Sequence, residues 1–184
     1  TRRYHALLLT ARRPPTDRFV LVNGFDAWLD TPSGSFALSS HAYLPDVVHP
    51  DGHRFLVAFS HEPWPTWTYR LPDGNELVHE LFVPHGMPAV VASWRLAKRG
   101  SSGPAVLRVR PLLSGRDHHA LHHENPAFRF DPTRSGDELR FEPYPGFVTK
   151  LRSNGSYHHE PLWLRSFRYD EERARGFPYT EALA

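Results

Sequence analysis

Apolar residues come in short bursts along this chain, each about the length of a strand and each closed by glycine, proline, asparagine or aspartate. The first burst, Leu7 to Leu9, reads as a buried strand. Arg13-Pro14-Pro15 turns the chain and Phe19–Val22 gives a second strand. Asn23-Gly24 then predicts a tight hairpin, with Phe25–Leu29 returning. Asp30–Gly34 predicts another turn, Ser35–Leu38 a short strand, and His41–Gly52, broken by Pro45 and Pro50, an irregular loop. The apolar residues resume from Arg54 to Phe59. Asp73-Gly74 predicts a hairpin joining Trp67–Leu71 to Glu76–Val83, followed by a strand over Ala89–Leu96. Lys98–Gly103 is short enough to be a hairpin loop.

From Leu107 the alternation continues into a strand predicted to end at Ser114-Gly115, where glycine permits a turn. Phe128 with Phe130, and Leu139 with Phe141, alternate in the same way, with turns at Ser135–Asp137, Tyr144–Gly146 and Asn154-Gly155. Trp163–Tyr169 predicts a last strand. In the tail, Glu171 and Glu172 precede Arg175, which allows one helical turn before Gly176 and leaves no closing element. Many short strands, frequent turn signals and no convincing amphipathic helix predict an all-β, mainly antiparallel sandwich in a single domain spanning residues 1–184.

Composition supports that reading. With 18 prolines and 12 glycines in 184 residues, long helices are disfavoured. Aromatic residues make up 13% of the chain, enough for a sandwich core or for stacking on flat ligands. The net charge is only +2, and Arg2-Arg3 and Arg12-Arg13 are isolated pairs, so nucleic acid is not an expected partner. There is no cysteine, hence no disulfide or thiolate chemistry, and no apolar run long enough for a membrane span. A cytoplasmic protein that does not engage a membrane is the expectation. Asn154-Gly155-Ser156 has the form of a glycosylation site but reads first as a turn.

Chemistry concentrates in one stretch, Arg116-Asp117-His118-His119-Ala120-Leu121-His122-His123-Glu124-Asn125. Arginine, aspartate, histidine and asparagine supply the bidentate and dual donor/acceptor groups that read hydroxyls or carboxylates. The same residues could instead brace the fold as a polar loop over a strand end. A metal site would need residues 117–124 to be helical, placing His118 with His122 or His119 with His123. Without HExxH or cysteine, no metal is expected. Asp117 and Glu124 are the only acids in the stretch that could act as an acid/base pair. No GxSxG or glycine-rich phosphate loop is present, so the signatures of nucleophilic catalysis and of phosphate binding are missing and no cofactor is expected. Trp64 and Trp67 form a second candidate site. Trp67 shares a strand face with Tyr69 and suits a core, whereas Trp64, between Pro63 and Pro65, could stack on a sugar ring.

Four segments carry a family resemblance: TRRYHALLLTARRPPTDRFVLV at the start, HPDGHRFLVAF followed by EPWPTWTY, RPLLSGRDHHALHHENPAF, and WLRSFRYDEERARGFPYTEAL at the end. Together they resemble, in colinear order over essentially the whole chain, the N-terminal domain of bacterial and archaeal glycogen debranching enzymes of the amylo-α-1,6-glucosidase type. His118 and Ala6 depart from the family's usual tyrosine and glycine. The resemblance implies a β-super-sandwich similar to the N-terminal domain of bacterial glucoamylases, packed in the parent enzyme on an (α/α)₆ barrel that carries the catalytic acids. It implies a segment trimmed from a longer chain and non-catalytic by itself. Its partners would be that C-terminal barrel and glycogen or another α-glucan, met through Arg116, Asp117, His118, His119, His122, His123 and Asn125. The alternative is a free-standing carbohydrate-binding sandwich with Trp64 and Trp67 as stacking platforms.

Overall fold

The computed structural model describes residues 2–100 and 102–184; Thr1 and Ser101, the latter inside the Lys98–Gly103 loop, lie outside the described residues. In chain order the strands are β1 (Leu8–Arg13), β2 (Thr16–Thr31), β3 (Gly34–Ala37), β4 (His41–Tyr43), β5 (Val47–His49), β6 (Leu56–Ser60), β7 (Thr66–Arg70), β8 (Glu76–Phe82), β9 (Val91–Lys98), β10 (Val106–Asp117), β11 (Thr133–Ser135), β12 (Glu138–Phe141), β13 (Thr149–Arg152) and β14 (Leu164–Arg168). A single-turn helix, α1 (Asp170–Ala174), leads into β15 (Thr180–Leu183). The chain is all-β with antiparallel sheets, as its alternation and turn signals predict. No helix among the described residues is long and apolar enough to cross a membrane.

The chain divides into two compact units. The first comprises Thr1–Gly24, Tyr43–Pro45 and Leu112–Ala184; the second comprises Phe25–Ala42 and Asp46–Pro111. In the first, β1 pairs antiparallel with the start of β2, and β11, β12 and β13 form a three-stranded sheet. There β14 pairs with β15 on one side and, at Phe167 opposite Tyr43, with β4 on the other. Leu112, Phe167 and Leu183 form the apolar centre, with Tyr43 and Leu164 packed against it. In the second unit β3 pairs with the end of β2, and β6-β7-β8-β9 is an antiparallel meander. Its core is Ala27, Leu29, Leu38, Tyr69, Leu71 and Leu77.

Most predicted hairpins stand, including Asp73-Gly74 between β7 and β8 and Gly136-Asp137 between β11 and β12. Other expectations are overturned. Asn23-Gly24 makes no hairpin: both residues lie within β2, a strand of 16 residues. The turns predicted at Arg13–Pro15 and Asp30–Gly34 do stand, and with β1 along residues 16–22 of β2 and β3 along residues 28–31 no fold-back is made at Asn23. Likewise β10 does not end at Ser114-Gly115. Gly115 takes φ +67° inside the strand, a conformation glycine adopts without a Cβ penalty, and the strand runs on to Asp117. The His41–Gly52 loop contains two short strands, β4 and β5, and Phe128 and Phe130 lie in irregular chain. The tail does have a closing element, since β15 pairs with β14 after the predicted helical turn.

Candidate functional site

The centre of the first unit is built from the second half of β10, where Leu112, Ser114 and Arg116 are all buried. A buried guanidinium needs a partner, and β15 brings Glu181 to it. The Glu181 side chain is fully enclosed, and all its partners belong to this unit. One carboxylate oxygen accepts from Arg116 Nε and, at 3.0 Å, from the backbone N–H of His122. The other accepts from the Tyr169 hydroxyl, with Arg116 Nη2 and Asn23 Nδ2 each at 3.5 Å. Burial, with the Glu181 charge second, pushes the Tyr169 phenol well above its ordinary range, so it remains a donor.

The rest of the guanidinium grips the backbone. Nη2 donates to the Arg3 carbonyl at 2.6 Å, and Nη1 to the carbonyls of Asp117 at 3.2 Å and His118 at 3.4 Å. Arg116 therefore shapes the entry to the polar stretch and does not project from it. His122 anchors the other end. Its Nδ1–H donates to the Ala182 carbonyl at 2.9 Å, which leaves Nε2 to accept from the Tyr144 hydroxyl at 2.7 Å. Burial lowers its pKa, and its ring tilts against Trp163 at 5.3 Å, so the neutral imidazole is the resident form. Asn125 Nδ2 donates to the same Tyr144 oxygen at 2.7 Å and to the His123 carbonyl at 2.8 Å.

Between these anchors most residues of the stretch are exposed. Asp117 is exposed and accepts from the His119 N–H at 2.8 Å, closing a turn after β10. His119 is exposed and bonds the Tyr4 hydroxyl at 3.2 Å. His118 is turned inward with a 12% exposed side chain, its pKa lowered by burial and by His119 and Arg18. His123 is exposed, and Glu124, also exposed, pairs with Arg165 at 2.5 Å; that arginine holds the Glu124 carboxyl below its usual range. Residues 118–120 turn and 121–125 are irregular, so the helical spacing considered for a metal site is not formed. Among the described residues no group of three or more histidines, aspartates or glutamates is arranged to hold a metal ion.

The candidate tryptophans belong to the second unit and lie on opposite faces of its meander. Trp67 is stacked on His79 at 5.0 Å, and His79 in turn on Trp94 at 4.5 Å, with Phe25 edge-on to His79 and Trp94. It is part of the core. Trp64 sits on the other face, 39% exposed, tilted over Phe82 at 5.4 Å and donating Nε1–H to Glu80 at 3.2 Å. Sequence reasoning missed Glu181, Tyr169 and Tyr144 as partners of the polar stretch. The available signal was a carboxylate inside the apolar run Glu181-Ala182-Leu183.

The family model described as glycogen debranching enzyme N terminal matches residues 1–184. The chain belongs to this family. Comparison with curated proteins and with solved structures returned no match. In this glycogen debranching enzyme N-terminal domain, the polar stretch is thus a loop clamped at Arg116 and His122 with Asp117, His119 and His123 left on its outer side.

Proposed function

We propose that this chain is the non-catalytic N-terminal domain of a cytoplasmic glycogen debranching enzyme, one that hydrolyses α-1,6-linked glucose at branch points. Its role is to support the catalytic (α/α)₆ barrel and to present the 117–125 loop to that barrel or to the glucan beside it. The observation that carries this reading is the buried Arg116–Glu181 pair beneath the loop. An ion pair that also clamps three backbone carbonyls and receives a tyrosine hydroxyl fixes the loop's path, and a fixed path holds Asp117, His119 and His123 in place for a docking surface. Acid/base catalysis by Asp117 and Glu124 has little support, because Glu124 is engaged by Arg165 and Asp117 by the His119 N–H.

The test is association with the catalytic barrel of a family enzyme, measured by calorimetry for the unaltered chain and for a combined Asp117→Ala, His119→Ala, His123→Ala variant. Loss of about tenfold or more in affinity, with the melting temperature unchanged, is the expected result. Hydrolysis of α-1,6-linked glucose by the 184-residue chain alone would sink the non-catalytic reading, and equal barrel affinity for both proteins would remove the loop from the interface.

A further inference from the structure

The outer face of the β6–β9 meander carries a group of side chains with no part in either core. Alternation along β8 sends Leu77 and His79 inward and Val78, Glu80 and Phe82 outward. Cross-strand register then places Thr66 and Ser93 on either side of Glu80, Thr68 and Arg95 on either side of Val78, and Val91 beside Phe82. Trp64 lies over the Phe82 end of this grid. Its ring is held in place twice, by Phe82 beneath it and by the bond from Nε1 to Glu80 Oε1, while the second Glu80 oxygen accepts from the Ser93 hydroxyl at 3.4 Å.

We infer that this face, centred on Trp64 and Glu80, is a binding subsite for a neutral, hydroxyl-rich ring ligand, a pyranose unit of an α-glucan. The inference rests on the glucan part of the proposed function and places the contact on a surface different from the 117–125 loop. Three features select that ligand class. A half-exposed indole fixed against rotation offers a flat apolar surface, which complements the C–H face of a sugar ring at little entropic cost. Around it stand Thr66, Ser93 and a carboxylate whose two oxygens each retain acceptor capacity, a set that both donates to and accepts from hydroxyl groups. Arg70 is paired with Glu76 at 3.0 Å, at the end of the grid away from Trp64, and the charges nearest the indole, Glu80 and Arg95, are of opposite sign, so no cationic patch for a polyanion is built beside it.

The experiment is calorimetric titration of the 184-residue chain with maltoheptaose, beside Trp64→Ala, Glu80→Gln and His119→Ala, each checked for an unchanged melting temperature. Trp64→Ala is expected to weaken binding by about tenfold or more and Glu80→Gln by several-fold, with His119→Ala unchanged. Glu80→Gln keeps the side-chain shape, so the question stays answerable if Trp64→Ala fails to fold. Binding that survives both outer-face variants and falls with His119→Ala overturns this inference and leaves glucan contact with the loop. No binding of maltoheptaose at all overturns it too, while the accessory role stands or falls on barrel association. Weakened association with the catalytic barrel in the outer-face variants, with no loss of maltoheptaose affinity, would make this face a protein interface and overturn it as well.

Discussion

Glu181 in the first unit and His79 in the second are both buried titratable side chains, and they are accommodated by opposite means. In the first unit the Glu181 carboxylate is enclosed with a guanidinium, a tyrosine hydroxyl and a backbone amide aimed at it. In the second, His79 is buried as a ring between two indoles, its Nδ1–H donating to the Ser93 carbonyl at 3.0 Å. A charge can be enclosed only with its partners, and those partners fix geometry; a neutral imidazole needs only a carbonyl and apolar walls. The first arrangement specifies the path of a loop, whereas the second fills space. That is why the functional argument attaches to Arg116 and not to His79, although both residues are buried.

The sharpest way to break the contrast is Glu181→Leu. It leaves Arg116 charged and uncompensated in the interior and strips the Tyr169 hydroxyl and the His122 N–H of their acceptor, a loss of about 3–5 kcal/mol. A fall in melting temperature on the order of 10 °C follows. Adding Arg116→Met to Glu181→Leu should recover much of this, since apolar replacements of a buried pair are often tolerated. The same double variant should lose the loop's barrel affinity, because nothing then grips the carbonyls of Arg3, Asp117 and His118. If the double variant melts as low as the single one, the cost lies in packing and not in the orphaned charge.

Gly115 comes next, and it also marks where sequence reading stopped short. Alternation and turn residues located β7, β8, β12 and β14, because those signals are local. They misread Asn23-Gly24 and Gly115 as turns, since whether a glycine turns or stays in a strand depends on which strands lie alongside, and pairing is not local. The polar stretch was legible as unusual, but its division into buried Arg116 and His122 and exposed Asp117, His119 and His123 depends on Glu181 and Ala182, about sixty residues further on. Gly115→Ala should cost about 1–2 kcal/mol. The φ of +67° is strained for alanine, and the added Cβ would meet the Tyr144 ring at 3.3 Å, the same ring whose hydroxyl bonds His122. A melting curve shows the loss, and weakened barrel affinity should accompany it.

His79→Leu, the counterpart of Glu181→Leu in the second unit, should cost only about 1 kcal/mol. It removes one hydrogen bond and leaves the Ser93 carbonyl without that donor, but it strands no charge and keeps an apolar body between Trp67 and Trp94. A loss as large as that of Glu181→Leu would show that the imidazole does more than fill space.

The smallest effect is the dependence on pH, and it tests whether both buried histidines are neutral. Burial lowers the pKa of His79 and of His122 from 6.5. The unfolded chain therefore binds more protons than the folded one below that value, and the stability from keeping each ring neutral is present above about pH 6.5 and lost as pH falls toward the depressed folded pKa. Between pH 7.5 and pH 6 each ring can contribute at most about 0.8 kcal/mol, the limit for a group that stays neutral when folded. Melting temperatures of the unaltered chain and of His79→Leu should both fall over this interval, the variant by less, since His122 alone of the two remains. Parallel curves for the two proteins would mean that His79 takes up protons alike in the folded and unfolded chain, so that the indole sandwich does not hold the ring neutral as the pH falls.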